Sequence, residues 1–243
     1  MEFRHEYKFI ISIPQSLILK ERLSGLMKKD ANSGEKGSYE IRSIYFDDIH
    51  NSCFKQNEAG TDPRAKYRIR SYHVSDEKIV LEKKIKQNGM TKKLQQQLTK
   101  EQYEILKRSD VRGTLKKAPD KELFFHDQPA LVQELLSLKQ MRQMQPKVIV
   151  AYERTPFVEE AGNVRVTFDD NIASSSEFDL FFSKRLQKRS VMPVGQTLME
   201  VKFDEFLPEY IKRTLEIGKL SQTTFPSTIC AGDTVYEYFF GHF

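Results

Sequence analysis

The sequence predicts an α+β protein in which an antiparallel β-barrel forms a tunnel with a charged lumen, and amphipathic helices pack on its outer face. At least six segments alternate charged and apolar residues with a period of two, which is typical of strands with two different faces. Several other segments carry apolar residues at helical spacing. Helices need an apolar surface to cover, so the charged faces are predicted to line the interior.

The first half of the chain alternates strands and helices, with clear boundary residues. Pro14 suits the first turn of a helix, Asn88-Gly89 favours a tight turn between strands, and Thr99 with Gln102 forms a capping box. The predicted elements are a strand over 2–13, a helix over 14–29, strands over 39–47, 64–72, 78–87 and 90–98, and a short helix over 99–108.

The second half follows the same rules after a basic connection over 109–127. Pro129 opens a helix with leucines at helical spacing, and Pro208 opens another that ends near Gly218. The predicted strands cover 147–157, 164–169, 178–182 and 196–203, and a short aromatic helix is predicted over 234–240.

Composition and charge narrow the classes of function. The 243 residues are predicted to form one domain over 1–243, and a net charge of only +5 does not favour specific nucleic-acid binding. Cys53 and Cys230 lie far apart without metal-ligand spacing, which argues against zinc and against a disulfide framework. The sequence shows no signal pattern and no membrane span, so we predict a cytoplasmic protein, and it identifies no protein partner.

The charged strand faces predict a site for a long polyanion. Guanidinium groups bind phosphate oxygens bidentately, and a focused positive field suits triphosphate or polyphosphate better than a single carboxylate. A minority of carboxylates can hold a divalent cation that bridges phosphates. No Walker A or G-x-G-x-x-G pattern offers another phosphate cradle. The predicted lining residues are Arg4, Lys8, Arg68, Arg70, Lys84, Lys93, Arg154, Arg165 and Lys202, with the carboxylates Glu6, Glu82, Asp169 and Glu200.

Seven segments appear in an order that points to a known family. They read R-H-E-Y-K-F, I-R-S-I-Y-F-D-D, K-Y-R-I-R-S-Y, L-E-K-K, Y-E-R-T-P-F, V-R-V-T-F-D and L-M-E-V-K-F-D-E-F-L-P. Together they resemble the VTC (vacuolar transporter chaperone) polyphosphate polymerase domain in its stand-alone prokaryotic form, within the CYTH-like triphosphate tunnel metalloenzymes. The resemblance covers about residues 4–218.

The resemblance implies transfer of the γ-phosphate of ATP to a growing polyphosphate chain with a divalent metal, Mn²⁺ or Mg²⁺. A glutamate that matches Glu200 would hold the metal, and Glu6 and Glu82 are further candidate ligands. The predicted phosphate-binding residues are Lys8, Arg68, Arg70, Lys84, Lys93, Arg154, Arg165 and Lys202, with Arg4, Asp169 and Ser227 as other tunnel residues.

One departure from the family keeps two alternatives open. The family ends with a Ser-Lys pair, whereas the run T-T-F-P-S-T-I-C over 223–230 has Ser227 and no lysine after it. A missing cation could belong to the transition state of phosphate transfer. The alternatives to a polymerase are a hydrolase of inorganic or organic triphosphates and a polyphosphate-binding module without catalysis.

Overall fold

The computed structural model describes residues 5–30, 33–34, 36–88, 90–108 and 127–217. The chain divides into two compact units. Unit 1 consists of residues 1–41, 151–173 and 190–225, and unit 2 of residues 42–150, 174–189 and 226–243. The single domain predicted over 1–243 stays a prediction. The predicted helix over 234–240 lies outside the described residues, and so does the predicted connection over 109–127 except for its last residue, Asp127.

Ten strands and five α-helices lie within the described part of the chain. The strands are β1 (His5–Ser12), β2 (Lys28–Lys29), β3 (Tyr39–Asp47), β4 (Arg64–Tyr72), β5 (Ile79–Gln87), β6 (Met90–Leu98), β7 (Gln145–Glu159), β8 (Val164–Ser175), β9 (Arg189–Ser190) and β10 (Gln196–Phe203). The helices are α1 (Ile13–Ser24), α2 (Ser52–Glu58), α3 (Lys100–Lys107), α4 (Ala130–Arg142) and α5 (Glu209–Leu215).

The strands form one hydrogen-bonded order, β1-β10-β8-β7-β3-β4-β5-β6, with β2 added on β7 and β9 on β8. The ladders β1 with β10, β10 with β8, β4 with β5 and β5 with β6 are antiparallel. Within the described residues the order starts at β1 and ends at β6 without a ladder that joins them. The α+β class and the antiparallel sheet are therefore confirmed, and a closed barrel is not.

Unit 1 has an apolar core covered by α1 and α5. The Ser12 side chain accepts the Gln15 backbone N–H, and the Gln15 side chain accepts the Ser12 backbone N–H, so a capping box starts α1. Leu19 and Leu23 of α1 are fully buried. The helix ends at Ser24 rather than near Lys29, because the chain there must extend to form the β2 ladder with β7.

Unit 2 has its own core, in which α3 and α4 cover the apolar face of β4, β5 and β6. Residues at alternate positions of these strands, such as Tyr67, Ile69 and Leu81, are buried in the same cluster as Leu106 of α3 and Leu135 of α4. The Thr99 and Gln102 capping box predicted for α3 is confirmed. The two faces of these strands therefore have separate tasks, packing on one side and charge on the other.

The strand predicted over 178–182 is wrong. Residues Phe178–Leu180 form a 3₁₀ turn instead. The buried Arg42 guanidinium of β3 donates to the carbonyls of Phe181 and Ser183, both at 2.7 Å, and to that of Leu180 at 3.4 Å. Three carbonyls can converge on one guanidinium only if the chain curls, and a strand points successive carbonyls in opposite directions.

A buried lysine in α4 gives a first prediction. Lys139 is 5% exposed, donates to the Met144 carbonyl at 3.2 Å and lies over the Phe46 ring. Burial lowers the pKa of Lys139 to about 8. We expect Lys139→Met to raise the free energy of unfolding at pH 7 by about 2 kcal/mol, because the variant no longer desolvates an ammonium and loses only one hydrogen bond.

The pH dependence of the free energy of unfolding tests whether the buried charge of Lys139 causes this difference. Between pH 8 and 10.5 the folded wild type has released the Lys139 proton while the unfolded chain still binds it, so wild-type stability rises with pH. The difference in free energy of unfolding between Lys139→Met and the wild type, measured with urea, should therefore be smaller at pH 10 than at pH 7. An advantage that is equally large at pH 7 and pH 10 would exclude the buried charge as its source.

Candidate functional site

The polar face of β4, β5 and β6 in unit 2 carries four of the eight basic residues predicted to bind phosphate. The strand register aligns twelve side chains of this face in four rows of three. We call these twelve positions the cationic face, because seven are Lys or Arg and one is acidic. The rows are Arg70, Val80, Gln97; Arg68, Glu82, Gln95; Lys66, Lys84, Lys93; and Arg64, Lys86, Thr91.

Glu82 organises one end of the cationic face. Its side chain is 1% exposed. Arg68 Nε lies 2.5 Å from Oε2, and Gln95 Nε2 donates to Oε1 at 2.6 Å. Lys93 Nζ is 3.5 Å from Oε1, and an Arg70 nitrogen is 3.9 Å from Oε2. One carboxylate thus holds three cations in fixed positions.

Burial and the neighbouring charges change the pKa values of Glu82 and Lys93. Burial raises the pKa of Glu82, but the positive charges of Arg68, Arg70 and Lys93 outweigh it and bring the pKa to about 2. Burial lowers the pKa of Lys93, and repulsion by the two arginines adds to this against the attraction of Glu82. Glu82 is therefore a stable anion whose oxygens already accept from protein cations, which favours ion pairing over its role as a metal ligand.

Strand β3 supplies two further contacts to this end of the face. Arg68 donates to the Tyr45 hydroxyl at 3.0 Å, and Arg70 Nε donates to the Ser43 hydroxyl at 3.3 Å. Neither Ser43 nor Tyr45 was among the site residues predicted from the sequence. Their period-two spacing on β3 was the available signal, but it does not say which arginine each hydroxyl meets.

A second charged cluster lies in unit 1, on β1, β7, β8 and β10. Lys8 bridges Glu6 at 3.2 Å and Glu200 at 3.8 Å. Lys202 bridges the same two carboxylates, at 3.6 Å and 3.1 Å. The antiparallel register of β1 and β10 places Glu6 opposite Lys202 and Lys8 opposite Glu200, so unlike charges alternate around the quartet.

Arg154 and Asp169 complete this second cluster. Arg154 donates to both carboxylate oxygens of Asp169, at 2.7 Å and 2.6 Å, and one of its nitrogens lies 4.0 Å from Glu200. Burial works against the Arg154 charge, but Asp169 holds the pKa of Arg154 well above its ordinary value. We call the group Glu6, Lys8, Arg154, Asp169, Glu200 and Lys202 the Glu200 cluster; its three cations and three carboxylates balance.

Glu200 stays ionised within this cluster. Burial raises the pKa of Glu200, but Lys202 and Lys8 lower it further than burial raises it, with smaller contributions from Glu6 and Arg154. The side chain is 10% exposed. Its oxygens lie 3.1 Å from Lys202, 3.8 Å from Lys8 and 4.0 Å from Arg154, whereas Glu82 accepts at 2.5 Å and 2.6 Å. Glu200 is therefore held less tightly by protein cations than Glu82 is, which suits it better to bind a metal ion.

Arg165 has a separate partner that the sequence analysis missed. Its guanidinium lies 2.7 Å from an oxygen of Asp30, whose side chain is 9% exposed. Asp30 follows β2 in an irregular segment, where no periodic pattern marks a side chain as part of a site. The predicted residues Arg4 and Ser227 lie outside the part of the chain that the structure describes.

The fit of a divalent metal can be tested on the Glu200 cluster. The described residues contain no group of three or more His, Cys, Asp or Glu that could hold a metal ion. Mg²⁺ typically binds one or two carboxylates and completes its shell with water and substrate phosphates. Glu200 and Glu6, which share two lysines, fit that smaller ligand set, whereas both oxygens of Asp169 are taken by Arg154.

A comparison of the sequence with models of protein families identifies the family of this chain. Residues 3–232 match the model of the VTC domain. The chain belongs to the VTC domain family. The resemblance drawn from the seven sequence segments is confirmed, and the match spans both units of this VTC domain.

Other comparisons describe what this VTC domain is similar to. A solved structure from Bacillus halodurans, assigned as a candidate adenylate cyclase, is 16% identical with a TM-score of 0.42, and the alignment covers 88% of this chain and 85% of that one. No curated protein matches the sequence. Among the described residues, none of the helices has the length and hydropathy to cross a membrane. The predicted cytoplasmic location stays a prediction.

Proposed function

We propose that this VTC domain is a metal-dependent polyphosphate polymerase, which transfers the γ-phosphate of ATP to a growing polyphosphate chain. The observation that carries the proposal is the cationic face, where seven basic residues share one side of three strands with a single glutamate. Family membership supports it, because the VTC resemblance implies this activity.

The cationic face favours a polyanion as the ligand. Two like charges about 6 Å apart repel by about 3 kcal/mol at an effective dielectric near 20. Lys84 stands directly between Lys66 and Lys93 in the register, so the face carries this repulsion. Bound phosphates would relieve it, and arginine forks such as those of Arg68 and Arg70 bind phosphate oxygens bidentately.

The Glu200 cluster suits the chemical step. Glu200 with Glu6 would hold Mn²⁺ or Mg²⁺, which neutralises charge on the phosphates when bound. Lys8, Lys202 and Arg154 would orient the γ-phosphate. In the transfer, the bond from the γ-phosphorus to its bridging oxygen breaks as a bond to the terminal oxygen of the chain forms, and ADP leaves. Positioning and charge stabilisation supply the catalysis, so no protein nucleophile is required.

A second candidate function rests on one sequence observation. The run over 223–230 has no lysine after Ser227, where the family carries a Ser-Lys pair. If that lysine stabilises transfer to an acceptor phosphate, water would replace the acceptor and the protein would hydrolyse triphosphates. Binding of polyphosphate without turnover is the further alternative.

An assay with ATP and Mn²⁺, with the products resolved on a gel, tests the proposal. We expect the wild type to form polyphosphate chains and Arg70→Ala to form none, because the variant loses a buried guanidinium of the cationic face. Arg142→Ala is the matched control, since Arg142 is exposed at the end of α4, and it should keep wild-type activity. Orthophosphate as the sole product would assign a triphosphatase, and chains from Arg70→Ala would contradict the assigned site.

A further inference from the structure

A buried hydroxyl lies beside the Glu200 cluster. Thr167 of β8 is 2% exposed, and its Oγ1 makes no hydrogen bond to any residue in the described part of the chain. Buried hydroxyls are normally hydrogen-bonded, so an exception calls for an explanation. Packing alone would favour valine at this position, because valine fills nearly the same volume and leaves no hydroxyl unsatisfied.

The strand register places Thr167 directly opposite Glu200. Strand β10 lies between β1 and β8, and its Glu200 is paired with Lys8 of β1 on one side and with Thr167 of β8 on the other. Val166 and Phe168 are buried in the apolar core of unit 1. Thr167 lies between them in the sequence, so it points to the other face of the sheet, which it shares with Glu200. Cβ atoms of directly opposed residues are about 4.5–5.5 Å apart, which a side-chain hydrogen bond can span.

The Glu200 carboxylate can accept a further hydrogen bond. Each carboxylate oxygen accepts about two hydrogen bonds. Oε1 lies 3.8 Å from Lys8, while Oε2 lies 3.1 Å from Lys202 and 4.0 Å from Arg154. Of these three contacts with cations, only the one with Lys202 has the length of a hydrogen bond. The ammonium groups of Lys8 and Lys202 are repelled by a divalent cation, so their contacts with Glu200 weaken when one binds, and the carboxylate then needs another donor.

We propose that Thr167 is a positioning residue, whose hydroxyl donates a hydrogen bond to the Glu200 carboxylate when a divalent metal ion is bound there. The proposal rests on the proposed function, because it takes Glu200 as the metal ligand. The hydroxyl reaches Glu200 by rotation about the Cα–Cβ bond, which leaves the backbone in place. Carboxylates that bind metals are themselves held by hydrogen bonds, and loss of such a bond typically weakens metal binding by about 10- to 100-fold.

Equilibrium binding of Mn²⁺, followed by the loss of the EPR signal of the free ion, tests the proposal without turnover. We expect Thr167→Val to bind Mn²⁺ about 10-fold more weakly than the wild type, because valine keeps the volume but has no proton to donate. Thr167→Ser retains the hydroxyl and should bind nearly as tightly as the wild type. Glu200→Gln should abolish the same binding, which assigns the signal to this site.

Thr197→Val is the matched control. Thr197 lies on the same strand as Glu200 and is 1% exposed, but it is three residues away and therefore on the other face, where it donates to Asp170 at 2.7 Å. Its loss should lower the free energy of unfolding and leave the Mn²⁺ affinity unchanged. Thr167→Val should be at least as stable as the wild type in urea unfolding, because it removes an unsatisfied hydroxyl.

The outcomes separate the role of Thr167 from the proposed function. Wild-type Mn²⁺ affinity in Thr167→Val, or an equal loss in Thr197→Val, overturns the role of Thr167 while the proposed function stands. Weaker Mn²⁺ binding by Thr167→Val together with a lower free energy of unfolding shows a packing role and also overturns it. A wild type that binds no Mn²⁺, or Mn²⁺ binding that persists in Glu200→Gln, contradicts Glu200 as the metal ligand and the role of Thr167 together.

Discussion

Glu200→Gln is expected to lower metal-dependent phosphate transfer from ATP at least about 100-fold, the size of effect seen when one preorganised charge-stabilising group is lost. The substitution removes the buried negative charge that would hold the metal and keeps the volume of the side chain. Lys8 and Lys202 retain Glu6 as a carboxylate partner, so the strands should stay paired. Initial rates of chain formation across a Mn²⁺ series measure the effect.

Binding of triphosphate without metal distinguishes this role from a loss of fold. Glu200→Gln removes a negative charge beside two lysines, so it should bind inorganic triphosphate at least as tightly as the wild type does. Glu153→Gln is the control, because Glu153 is an exposed β7 residue that accepts a hydrogen bond from Ser38, and its rates should equal those of the wild type. Wild-type turnover in Glu200→Gln would remove Glu200 from the reaction.

Glu82→Gln is expected to lower the free energy of unfolding at pH 7 by about 3 kcal/mol. The pKa of Glu82 falls from 4.5 to about 2 on folding, and each pKa unit corresponds to about 1.4 kcal/mol. The amide cannot neutralise Arg68, Arg70 and Lys93, and breaking a buried ion pair typically costs about 3–5 kcal/mol. Urea unfolding of both proteins measures the difference.

The effect of Glu82→Gln should depend on pH in one direction. The folded pKa of Glu82 is depressed, so its stabilisation is fully present above pH 4.5 and is lost as the pH falls toward 2. The gap between wild type and variant should therefore narrow by about 2 kcal/mol between pH 7 and pH 3. The exposed Glu209→Gln should show no such gap. A gap of constant size would contradict an ion-pair origin.

Most of the fold could be predicted from the sequence, because its strands have two chemically different faces. The predicted bounds 39–47, 64–72, 90–98 and 196–203 are those of β3, β4, β6 and β10. The strand predicted over 178–182 was wrong for a tertiary reason. The run is apolar, as in a strand, but Arg42, which is distant in the sequence, donates hydrogen bonds to the carbonyls of Phe181 and Ser183. Closure of the sheet into a barrel depends on long-range pairing, which the pattern within single strands does not specify.

The alternation of charged and apolar residues predicted which side chains share a strand face, but not how their charges are arranged. Alternation placed Lys8, Glu200 and Lys202 on one face, yet only the register of β1 with β10 shows that unlike charges alternate there. Asp30 was missed because its contact with Arg165 joins two segments far apart in the sequence. A period-two pattern shows which side chains lie on the same face of a strand, whereas ion pairing depends on which strands are neighbours.

The cationic face has a net positive charge and the Glu200 cluster has none. This difference should affect the capture of substrate more than its conversion. A net positive face steers anions toward the protein, and this attraction extends about 8 Å in physiological salt. The Glu200 cluster is neutral and exerts little attraction at that distance. Under the proposed function, added salt should slow the diffusional encounter with polyphosphate much more than the turnover of bound chains, so ionic strength would govern how often the protein captures a chain and hardly how fast it works on one.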